Sequence, residues 1–172
     1  MDRQRGRRTG LAVALLVGVL LAGAIVVGAD RDRSPHALTV RNADGDLMAT
    51  VPLPDGRGFA LRYRNSLYGT LAEERFVAAD DGRLRLVELA ADQLAVLEEY
   101  YEVAEPPVRA PLGSERAWLA QPARAVAVAE LAVAATELGE RTLLVADRAP
   151  LPLRELIGTD PTVVLRVEGG DG

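Results

Sequence analysis

Twenty consecutive residues, GLAVALLVGVLLAGAIVVGA from Gly10 to Ala29, carry no charge and no strongly polar group. A helix on the surface of a soluble domain is apolar along one stripe only, so a run like this constrains the chain more than any other feature. At about 1.5 Å of rise per residue it reaches roughly 30 Å, the thickness of a bilayer's hydrocarbon core. Arg3, Arg5, Arg7 and Arg8 precede it, and the balanced cluster Asp30-Arg31-Asp32-Arg33 follows. The positive-inside rule then predicts a single transmembrane helix, with a cytoplasmic N-terminus and residues 30–172 outside the cytoplasm. The competing reading is a cleaved export signal, cut after Ala24 or Ala29. Ile25-Val26-Val27 prolong the apolar run and suit a retained anchor better. Ala14, Gly18 and Ala22 recur at every fourth position, a stripe that would let another membrane helix approach closely. The abundance of alanine and glycine in the chain is the plainer explanation of that stripe.

The chain of 172 residues divides by composition into a basic segment (1–9), the apolar helix (10–29), a linker (30–36), a domain (37–168) and a short tail (169–172). Cysteine is absent and His36 is the one histidine, which excludes thiolate zinc sites, iron–sulfur clusters, cysteine nucleophiles and multi-histidine metal centres. All 20 basic residues are arginine, so lysine Schiff bases and the lysine-bearing phosphate loop are excluded too. No cofactor and no metal are expected. Four of those arginines sit in the first nine residues, leaving 16 against 24 acidic residues in the rest. A domain that acidic lacks the clustered basic face that nucleic acid requires.

Beyond the linker, short runs with period-two alternation are broken by turn residues. Strands are predicted over Ala37–Arg41, Leu47–Leu53, Phe59–Asn65, Thr70–Ala79 and Arg83–Leu89, the last two joined by Asp80-Asp81-Gly82. Leu94, Leu97, Tyr100 and Tyr101 at helical spacing predict a helix over Ala91–Val103. Strands resume at Ala117–Ala120, Ala125–Ala134, Thr142–Val145 and Thr162–Val167, with a short element at Leu153–Ile157. So many short strands predict a mainly β fold, a small β-sandwich or partly closed barrel with one short helix.

Alternation places Phe59, Leu61, Tyr63 and Asn65 on one face of their strand, and Ala72, Glu74, Phe76 and Ala78 on one face of the next. If the aromatics mark the core, Asn65 and Glu74 point inward beside Tyr63, with Ser66 at the mouth of the turn. An inward carboxylate must be paired or hydrogen-bonded; arginine is its natural partner, and Arg85 on the neighbouring hairpin strand is one candidate. Tyr63, Asn65, Ser66 and Glu74 are therefore the candidate ligand-binding set; a polar network that pins strand register accounts for the same residues. Arg62, Arg64, Glu73 and Arg75 fall on the other face, read as solvated cross-strand ion pairs. His36, in the linker, is expected to be solvated.

The stretch FALRYRNSLYGTLAEERF from Phe59 to Phe76, followed by DGRLRLVE from Asp81 to Glu88, resembles the bacterial domain-of-unknown-function family 1850. Thr142–Val145, Leu151–Leu156 and Thr162–Val167 resemble that family's closing segment. The family's motif, Tyr-x-His-Ser and then Thr-Pro-x-x-Glu, becomes Tyr63, Asn65 and Ser66, then Thr70, Leu71 and Glu74. Asn65 replaces the histidine and Leu71 the proline, so this chain resembles a divergent member and no role needing that histidine carries over. The resemblance implies a small membrane-anchored protein, often encoded beside TAXI-type tripartite ATP-independent periplasmic (TRAP) transporters, whose permease and solute-binding protein would be its partners. The expected function is thus an extracytoplasmic accessory domain of such a transport system, or else a stand-alone ligand-binding or sensing module. Catalysis is not expected, because Ser66 lies in no nucleophile elbow and no second histidine exists.

Overall fold

The structure, a computed structural model, describes residues 36–168. The basic segment, the apolar run with Ala14, Gly18 and Ala22, the linker up to Pro35 and the tail 169–172 lie outside the described residues. Among those described, no helix is long and apolar enough to cross a membrane.

Twelve strands, one α-helix and one 3-10 helix are formed: β1 (Ala37–Asn42), β2 (Leu47–Pro52), β3 (Gly58–Arg64), β4 (Leu71–Ala78), β5 (Leu84–Ala91), α1 (Leu94–Tyr100), β6 (Val108–Arg109), β7 (Trp118–Ala120), β8 (Val126–Val128), β9 (Glu130–Ala134), β10 (Thr142–Val145), β11 (Leu151–Pro152), the 3-10 turn Leu153–Leu156 and β12 (Thr162–Glu168). The fold is mainly β, as the alternation predicts. A four-stranded sheet runs β2-β1-β12-β9, and an eight-stranded sheet runs β11-β10-β3-β4-β5-β7-β6 with β8 also on β5. Both sheets stay open, so no barrel forms.

The two sheets share a core. Leu38, Val40, Val133, Val163 and Leu165 from the smaller sheet cluster with Phe59, Leu61, Phe76, Leu84, Leu143 and Val145 from the larger. Phe59 and Phe76 are register partners on β3 and β4, and their rings stack at 5.3 Å. A second, smaller cluster sits at the other end of the eight-stranded sheet. There Val96 and Leu97 of α1 cover Ala72, Leu89, Ala91 and Ala120, with Tyr63 and Tyr101 packed alongside.

Two differences from the sequence reading have physical causes. The helix is shorter than Ala91–Val103, because Ala91 stays in β5, paired with both Ala72 and Trp118, while Val103 bridges Pro122. The run Ala125–Ala134 is two strands: β8 pairs with β5 and β9 with β12, so the chain crosses from one sheet to the other at Ala129. Continuous apolar character cannot mark such a change, because both halves face a core. The short element expected at Leu153–Ile157 is present as the 3-10 turn, which buries Leu153.

Candidate functional site

The inner face of the eight-stranded sheet has two covers, the small sheet over one part and α1 over the other. A cleft of about 420 Å³ lies where they part, walled by Ala134, Thr136, Leu138 and Gly139 on one side and Tyr100 and Tyr101 on the other. Its floor is Tyr63, Glu74 and Arg141, and its rim includes Arg64, Asn65 and Ser66. All four residues singled out from the sequence line this one cavity.

The β3–β4 register explains why. Phe59 pairs with Phe76, Leu61 with Glu74 and Tyr63 with Ala72, so Tyr63 and Glu74 share the inward face. Arg85 is not the partner of Glu74. It pairs with Val77 near the hairpin tip, is more than half exposed, and reaches Asp81 instead. Glu74 is held by Tyr101, the first residue past α1, whose hydroxyl donates to Oε1 at 2.8 Å. The hydroxyls of Tyr63 and Tyr101 stand 2.6 Å apart. Tyr101 has one proton, and an ionised carboxylate only accepts, so Tyr63 donates to Tyr101 and Tyr101 donates to Glu74. Burial is the main cause that raises the Tyr101 phenol far above its ordinary value, followed by the negative charge of Glu74. Burial likewise raises Tyr63, with the Glu74 charge adding to it and the Tyr101 bond and Arg141 opposing it. Both phenols therefore stay protonated at neutral pH.

Asn65 is buried, and its Oδ1 accepts from the backbone N–H groups of Leu67 and Tyr68. Gly69, at φ 66, closes this turn by donating to the Asn65 carbonyl. Asn65 thus shapes the rim, and Ser66 stands exposed upon it. Arg141 follows a turn clamped from several sides. Thr136 accepts from the backbone of Gly139 and Glu140, and Arg64 donates to the Glu140 carboxylate through Nε and Nη2. Glu140 itself has φ 46, a left-handed conformation uncommon for a side chain of its size. One residue beyond the Thr142–Arg62 register pair, the Arg141 guanidinium lies over the Tyr63 ring, 5.0 Å from its centre. Its Nη1 is buried and has no hydrogen-bond partner among the described residues.

The face opposite Glu74 is not the solvated surface expected for Arg62, Arg64, Glu73 and Arg75. Glu73 is 3% exposed, because the segment before β7 folds over it and brings in Arg116, itself 8% exposed. Arg116 donates to Glu73 through Nε at 3.0 Å and to both oxygens of Asp92. Arg75 binds the other Glu73 oxygen and Glu88. The result is a five-membered ladder of alternating charge, Glu88–Arg75–Glu73–Arg116–Asp92, that straps a loop to the sheet. His36 is half-buried, and its carbonyl accepts from Leu53 N–H.

Sequence reasoning missed Tyr100, Tyr101 and Arg141. The adjacent tyrosines at the end of the helical run were the available signal. No residue pattern pointed to Arg141. Among the described residues no group of three His, Asp or Glu side chains is placed to hold a metal ion. Compared with family models, curated proteins and solved structures, the chain matches none.

Proposed function

We propose that the β domain is a non-catalytic module that binds a small molecule in the Tyr63–Glu74–Tyr101–Arg141 cleft. The observation that carries this reading is a chain of hydrogen bonds, Tyr63 to Tyr101 to Glu74, laid along the floor of an open cavity beside an arginine that has no acceptor among the described residues. A few convergent polar groups in a concave, partly apolar pocket are what a binding site needs. Catalysis is disfavoured by the same groups, because phenols raised above their ordinary range are not bases or nucleophiles at neutral pH. The screen that tests this is thermal melting of the full-length chain in detergent against a library of small polar metabolites. Compounds that raise Tm should lose that effect in Tyr101→Phe, which removes one hydroxyl and leaves the ring. A library that stabilises both proteins equally argues against the cleft.

We further propose that the module is held outside the cytoplasm by the apolar segment 10–29 and serves a TAXI-type TRAP transport system. The length and flanking charges of that segment support the placement, and the resemblance carried by residues 59–76, 81–88, 142–145, 151–156 and 162–167 supports the partnership. A stand-alone sensing module is the alternative. Recovery of a permease or solute-binding protein with the tagged chain from native membranes favours the accessory role; its repeated absence favours the alternative. A reporter active only outside the cytosol, fused after Gly172, should be active and remain with the membrane fraction.

A further inference from the structure

The cleft holds two unspent charges of opposite sign. Glu74 uses one oxygen on Tyr101, and no cation among the described residues pairs with it. Arg141 forms no ion pair and no side-chain hydrogen bond among the described residues; the Tyr63 ring alone holds its guanidinium. The remaining arginine in the lining, Arg64, is already engaged by Glu140 and the Gly69 carbonyl. Between Glu74 and Arg141 run two neutral phenols. A ligand with a single charge would be drawn to one of these groups and repelled by the other. A ligand with both signs satisfies both. The walls add apolar surface: Leu138 is 67% exposed and Tyr100 is 49% exposed, large side chains that find no cover of their own.

We infer that the cleft selects a small zwitterion, its ammonium group on Glu74, its carboxylate on Arg141 and its apolar part against Leu138 and Tyr100. Guanidinium suits a carboxylate because its planar fork can donate two parallel bonds. This inference rests on the cleft being a ligand site, as proposed above, and adds the class of ligand.

Three probes with one apolar skeleton separate the charges: L-leucine carries both, L-leucinamide only the cation and isocaproate only the anion. Calorimetric titration of the full-length chain in detergent should show leucine binding at least about tenfold tighter than either analogue. Arg141→Met should lower leucine to the level of leucinamide and should not weaken leucinamide, which loses only a repulsion. Glu74→Gln, which can still accept from Tyr101, should lower leucine to the level of isocaproate. Melting curves confirm that each variant is folded. Leucinamide binding as tightly as leucine overturns the inference, as does the absence of heat from all three probes at about 10 mM. A molecule of one charge sign that stabilises the native protein but not Tyr101→Phe would also overturn it, while leaving the cleft as a binding site.

Discussion

Replacing Glu73 by alanine is the substitution for which sequence pattern and structure give opposite answers. Alternation puts Glu73 on the outer face, where loss of a carboxylate shifts stability by less than about 0.5 kcal/mol. In the structure it accepts from Arg116 Nε at 3.0 Å and from Arg75 Nη2 at 2.9 Å. Removing one partner of a buried pair costs about 3–5 kcal/mol, because the other charge is left desolvated. Two features reduce that figure. Arg116 keeps Asp92, bonded at 2.8 and 2.9 Å. Arg75 is about a third exposed and keeps Glu88, so water screens much of its loss. The expected penalty is about 3 kcal/mol, or a fall of roughly 10 °C in Tm for a domain of this size. Glu88→Ala, whose one ion-pair partner among the described residues is Arg75, about a third exposed, should cost under about 1 kcal/mol. Arg116→Ala combined with Glu73→Ala should be less damaging than the sum of the two, with a coupling of about 1–2 kcal/mol. Urea unfolding of the parent and the four variants measures these free energies, and thermal melting reads the fall in Tm. A Glu73→Ala protein within about 0.5 kcal/mol of the parent would refute the buried ladder.

Other outcomes follow from the cleft. Tyr101→Phe leaves Glu74 and Tyr63 each short of one bond and should lower stability by about 1–2 kcal/mol in the same assay. The raised Tyr101 phenol means that the native state keeps its proton after the unfolded chain begins to lose one near pH 10, so stability is level below that pH and falls above it. Tyr101→Phe should flatten the fall, and urea midpoints taken between about pH 9 and 11 read it directly. Gly69→Ala places a side chain at φ 66 and should cost about 1 kcal/mol by thermal melting, while disturbing the Ser66 rim.

Much of the fold is legible because period-two alternation is a local property. Phe59, Leu61 and Tyr63 announce the inner face of β3, and Ala72, Phe76 and Ala78 that of β4, so Tyr63 and Glu74 could be set side by side without coordinates. What closes the site is not local. Tyr101 reaches Glu74 from beyond a helix, and Arg141 reaches Tyr63 from the residue just before β10, the strand added to the far side of β3. Glu73 illustrates the same limit from the opposite direction. A strand pattern reports the face that meets the main core, and it cannot show that a distant loop carrying Arg116 will cover the other. Arg85 lies on the next strand of the hairpin from Glu74, but the hairpin register pairs it with Val77 and carries it toward the tip.

The most direct test of the central claim is to identify what the cleft holds. The full-length chain is purified from native membranes, denatured, and its released small molecules are measured by mass spectrometry beside those from Glu74→Gln and Tyr101→Phe. One compound should leave the native protein in near-stoichiometric amount and be depleted from both variants. The same profile from all three proteins, with no compound tied to these two side chains, would contradict the account.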